Sequence, residues 1–128
     1  MTDKQTRYFI ERKYNIMKWN VTKELRKQLD DNYDKKEHIL KEFKNKVIKD
    51  IEKLCDKHNL IIKSDSIISI YSGKIEHESN FKINQEINEI HKKLDIEKSE
   101  LIDEISILGI KDPTIKEKLS SLLNIKED

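Results

Sequence analysis

The chain has 128 residues, 40% of them charged and 35% hydrophobic, with a formal net charge of +1. The apolar share, set against roughly 45–50% in globular domains, excludes a thick core, while the near-neutral charge and the recurring Leu, Ile, Val and Phe exclude open disorder. No apolar run approaches the roughly 20 residues that span a bilayer, and the single Cys55 excludes an internal disulfide.

With only two glycines and one proline there are few places to turn. Lys, Glu, Leu and Ile at helical spacing serve one wet face and one dry one, so long amphipathic helices follow. The expected fold is mainly α: a single helical domain over 1–128, as a helical hairpin, bundle or coiled coil. Alanine is absent and Arg7, Arg12 and Arg26 are the only arginines, whereas Lys, Ile and Asn abound. Helix propensity cannot explain a missing alanine. Codons rich in A and T can, which points to a low-GC bacterium or one of its phages or plasmids. Residues 1–13 lack the apolar stretch of a signal peptide, so the expectation is a soluble, cytoplasmic protein with no membrane partner.

The first helix is expected from Gln5 to Leu29. Ile10, Tyr14, Met17, Val21, Leu25 and Leu29 step by three or four residues and so form one stripe. Asp30-Asp31-Asn32 then supplies turn and N-cap chemistry. A second helix follows to His58, with Leu40, Phe43, Val47, Ile51 and Leu54 as its stripe. A hairpin turning at residues 30–32, making 1–58 a helical hairpin, is favoured over one uninterrupted helix, which would be far above the usual length.

Residues 59–78 change character. Leu60-Ile61-Ile62, the polar Ser64-Asp65-Ser66 and the β-branched Ile67-Ile68-Ser69-Ile70-Tyr71 suit a small β-hairpin over 60–72, or irregular structure. Ile67, Ile68, Tyr71 and Ile75 would also share one helix face. A long helix is expected over 79–109, where Ile87, Leu94, Leu101 and Leu108 repeat every seven residues with coiled-coil spacing. That row is a candidate seam for a homo-oligomer. Glu97 and Glu104 interrupt it, so Ile102 and Ile105 take over as the stripe drifts. Gly109 is placed to end the helix. Asp112 as N-cap and Pro113 at the first helical position begin a short helix over 112–124, whose dry side is Ile115, Leu119 and Leu122.

Two constellations reach beyond folding. Tyr8, Arg12, Trp19, Lys23 and Arg26 fall in a narrow stripe facing away from Ile10, Met17 and Val21, at about 100° per residue. Residues 1–29 carry eight Lys or Arg against three Asp or Glu, net +5, which leaves the remainder at net −4. Interleaved aromatics and cations suit a protein hot spot or nucleic acid. In the alternative, Phe9, Ile16 and Trp19 form a second buried stripe. The second constellation, Gly109-Ile110-Lys111-Asp112-Pro113-Thr114-Ile115 with Leu119 and Leu122, resembles the turn and second helix of helix-turn-helix DNA-binding motifs. The resemblance implies a recognition helix with Lys111, Thr114, Lys116 and Lys118 as DNA contacts. The chain departs from the pattern at Ile105, where a small residue is usual, and at Glu117, so a structural corner between helices is favoured over it.

Catalytic and metal chemistry find little support. Cys55 and His58 could share a metal, yet no second pair accompanies them at zinc-finger spacing. His38, His77 and His91 are isolated, and neither a phosphate-binding glycine loop nor a nucleophile elbow occurs. No cofactor is expected. The expected function is non-enzymatic: binding of a protein partner through helical surfaces, as an inhibitor, adaptor or assembly factor. A DNA-binding regulator is the alternative.

Overall fold

The computed structural model describes residues 3–125, which are mainly helical with no strand among them. Helices α1 (Asp3–Val21) and α2 (Lys23–Phe43) are followed by a π-helical turn, Lys44–Ile48, and by α3 (Lys49–Lys57). After a short connection come α4 (Ser64–Leu108) and α5 (Pro113–Leu123). The chain divides into two compact units, one of residues 1–24 with 86–128 and one of residues 25–85.

In the first unit, Ile10 and Tyr14 of α1, Leu94 and Leu101 of α4, and Ile115 and Leu122 of α5 form one buried cluster. Phe9, Met17, Ile90, Ile102, Ile105, Leu119 and Ile125 pack around it. The takeover by Ile102 and Ile105 expected along α4 is thus seen. Polar contacts tie the elements at the rim. Lys18 of α1 is paired with Asp95 of α4, and Lys118 of α5 with Glu104 of α4 at 2.6 Å. Both ends of the corner into α5 carry the expected chemistry. Gly109 has φ +84°, in the left-handed region, and donates its N–H to the Ile105 carbonyl at 2.9 Å. The Asp112 carboxylate accepts from the N–H groups of Thr114 and Ile115 at 3.0 and 3.3 Å, with Pro113 at the start of α5.

In the second unit the chain reverses, but not where the sequence suggests. Asp30, Asp31 and Asn32 lie inside α2 and make no turn. Asn32 instead uses its side-chain amide across the unit, donating to the Ser79 carbonyl at 3.2 Å and to Asn80 Oδ1 at 3.0 Å. Further along, Lys36 meets Glu76 at 3.4 Å, the rings of Phe43 and Tyr71 stack at 4.3 Å, and Ser64 donates to Glu52 at 3.2 Å. Numbers rising on one arm against falling numbers on the other define antiparallel arms. The reversal is at residues 58–63, where Asn59 adopts φ +55°, a conformation that Asn tolerates better than most residues.

The β-hairpin expected over 60–72 is not seen. Residues from Ser64 onward are helical, so the long helix begins at 64 rather than 79. A single added strand pair would be marginal by itself, whereas a helix lets Ile67, Ile68, Tyr71 and Ile75 share one half-buried face.

Two interruptions shift the dry stripe by one residue. At Thr22 the hydroxyl donates to the Lys18 carbonyl at 2.7 Å while the backbone N–H reaches the same oxygen at 3.2 Å. Such back-bonding bends helices. Thr22 is buried and Val21, expected in the stripe, is exposed. The π-helical turn has the same effect by inserting an extra residue into the helical register. Ile48 is buried in place of Val47, Ile51 is half-buried as expected, and Cys55 is half-buried where Leu54 turns outward.

Candidate binding face

Helix α1 buries one side and exposes the other. Thr6, Ile10, Lys13 and Tyr14 are buried, which turns Tyr8, Arg12 and Trp19 outward. Tyr8 is 65% exposed and Trp19 60% exposed, so Trp19 does not belong to a second buried stripe; Phe9 and Ile16 are half-buried. Both rings line an open groove of about 510 Å³, together with Glu11, Arg12, Asn15, Ile16 and Asn20. The spacing explains the geometry. Residues 8, 12, 15 and 19 step by four, three and four and stack along a single ridge.

The groove is amphipathic rather than strongly basic. Arg12 and Glu11 both line it, and the Glu11 carboxylate pairs with Arg7 at 3.3 Å. Two of the eight cations counted in the first 29 residues are directed elsewhere. Lys18 serves Asp95, whose pKa this hydrogen bond lowers. Lys13 is buried, donates to the Ile125 carbonyl at 3.1 Å and lies 5.8 Å from the centroid of the Phe9 ring. Of the remaining candidates, Lys23 is exposed within the first unit, whereas Arg26 is half-buried and belongs to the second.

The C-terminal corner brings its candidates together less well. Lys111, Thr114 and Lys116 are exposed. Lys118 is engaged by Glu104, and that hydrogen bond raises its pKa. Ile105, where a helix-turn-helix needs a small residue, packs half-buried against the core, so its bulk is used in holding α5 down. The heptad row is divided too. Leu94 and Leu101 are inside the first unit's cluster, Ile87 is half-buried and Leu108 is exposed.

Among the described residues no group of three or more His, Cys, Asp or Glu could hold a metal ion. Cys55 is half-buried, while His58 ends α3, its N–H directed to the Leu54 and Cys55 carbonyls. His38 pairs with Glu42 at 3.6 Å, and His77 rests on the ring of Phe81. No helix among the described residues is long and apolar enough to cross a membrane. Exposed apolar residues also escaped the sequence reading: Leu54, Leu60, Ile61 and Ile70 are exposed in the second unit, Ile61 by 97%. Their signal was the Leu60-Ile61-Ile62 run, which resembles a strand when only local spacing is considered.

No family model matches the chain, and neither a curated protein nor a solved structure shows a significant similarity to it.

Proposed function

We propose that the chain is a non-enzymatic binding protein that engages a protein partner through the outer face of α1, acting as an inhibitor, adaptor or assembly factor. The observation that carries this is the exposure of Tyr8 and Trp19 on one ridge, where both line a groove together with Arg12. Trp, Tyr and Arg are the residue types that dominate interface hot spots. A large ring left in water forfeits the apolar burial that would otherwise stabilise the fold, and two on one ridge are best accounted for by a surface that covers them. Charge balance favours protein over nucleic acid. Glu11 sits in the groove and Lys13 and Lys18 are turned to internal partners, which thins the basic excess that a phosphate backbone would need. The partner is also a different chain rather than a second copy zipped along Ile87, Leu94, Leu101 and Leu108, because Leu94 and Leu101 would have to leave the core.

The test compares tagged wild-type protein with Trp19→Ala and with Tyr8→Ala in copurification from a low-GC bacterial lysate. Recovery should fall for at least one partner by about thirtyfold, the equivalent of about 2 kcal/mol at a hot spot, with circular dichroism unchanged. Equal recovery with all three proteins refutes the assignment. A gel shift on random duplex DNA that weakens steeply with salt would favour the regulator instead. A sedimenting mass well above 15.3 kDa would return the heptad row to consideration.

A further inference from the structure

A second groove, of about 370 Å³, lies within the first unit between α1, α4 and α5, on the opposite side of α1 from Trp19. Met17, Leu101 and Leu122 give it an apolar lining, and Glu97, Glu100 and Glu104 line it from α4. Those glutamates are three and four residues apart and share one helix face, where like charges oppose helix stability. Glu104 is paired with Lys118 at 2.6 Å, and the Lys118 charge also acts on Glu100. Glu97 and Glu100 make no ion pair among the described residues.

Tyr14 supplies an independent observation. It is 7% exposed and lines this groove, yet its hydroxyl makes no hydrogen bond among the described residues. No enclosed polar side-chain atom there is left unsatisfied, so the hydroxyl opens into the groove itself. Burial, followed by the charge of Glu97, raises its pKa. The phenol therefore stays neutral and can accept a hydrogen bond from a cation. A phenol acceptor open to the groove, the carboxylates of Glu97 and Glu100 and an apolar lining together describe a complement to a long alkyl stem with a cationic tip. Lys and Arg have that form, since their stems lie on apolar surface while the charged head stays polar.

We infer that this groove receives a lysine or arginine side chain from a basic segment of a partner protein. The stem lies along Met17, Leu101 and Leu122, the head sits between Glu97 and Glu100, and the Tyr14 hydroxyl accepts one of its N–H groups. A bare divalent cation would gain nothing from the apolar lining and prefers an all-oxygen shell. This site is independent of the Trp19 face, and either assignment can fail without the other.

The probe is a short, blocked, fluorescent peptide of alternating lysine and serine, titrated into the full chain while the Leu101 and Leu122 methyl resonances are followed. Saturable shifts at both are expected. Glu97→Gln combined with Glu100→Gln should weaken binding at least about tenfold, close to 1.4 kcal/mol. Glu86→Gln combined with Glu89→Gln removes the same charge from exposed positions of α4 outside the groove and should change affinity less than about twofold. Trp19→Ala should leave the titration unaltered, and Lys118→Gln, which frees Glu104, should tighten it. The inference is overturned if the methyl resonances do not move, if both glutamine pairs lose affinity equally, or if spermidine displaces the peptide at equal concentration and so marks a polyamine site.

Discussion

Replacing Ile115 with Ala tests how the first unit is held together. Ile115 is fully buried and meets Ile10 and Tyr14 of α1 and Leu94 and Leu101 of α4 in one cluster. The substitution deletes three carbon groups, a transfer loss of about 2.4 kcal/mol at about 0.8 kcal/mol each. A cavity is added to that loss, and comparable core truncations cost about 2–5 kcal/mol, so about 3 kcal/mol is expected. Against a total of about 5–15 kcal/mol for a domain, the loss should be plain in a urea melt. With a slope of about 1–3 kcal/mol/M the midpoint falls by about 1–3 M. Fluorescence of Trp19, the single tryptophan, reads this unit, and circular dichroism reads all the helices. Ile107→Ala on α4 is the control. Ile107 is 81% exposed, so the same chemical change should stay within about 0.5 kcal/mol. Equal midpoints for the two variants would refute the placement of α5 against α1 and α4.

Removing the cap of α5 by Asp112→Ala should cost about 1 kcal/mol, because two N–H groups lose their acceptor, and Asp112→Ser should restore most of it in the same melt. The Lys18–Asp95 pair gives stability an acid limb. Hydrogen bonding from Lys18 lowers the Asp95 pKa from its ordinary 3.8, so its contribution is complete above that value and is lost as pH falls through the lower, folded value. Wild type should therefore exceed Asp95→Asn in stability at pH 6, by a small margin since Asp95 is half-exposed. The gap should close below about pH 4, and a gap that persists at pH 2 would show that the carboxylate charge is not what matters.

Local spacing determined much of this protein. The helical runs at Ile10 and Tyr14, at Leu94 and Leu101, and at Ile115 and Leu122 were legible because apolar residues at steps of three, four and seven need only a helix to align them. So was the corner at Gly109, Asp112 and Pro113, since caps act within a few residues. The ridge of Tyr8, Arg12 and Trp19 was legible as a stripe, but periodicity could not tell whether it faced water or a second core. Packing of Ile10 and Tyr14 against α4 and α5 decided that. The acidic groove went unread because Tyr14, Glu97 and Leu122 are brought together only by the fold. The point of reversal was equally non-local. Asp30-Asp31-Asn32 has turn chemistry, yet Asn32 finds its partners 47 and 48 residues away, which keeps α2 helical there. From Ser64 onward the ambiguous 60–72 segment is helix, where Tyr71 stacks on Phe43. Tertiary contacts of that kind override local propensity whenever, as here, the local alternatives differ by little.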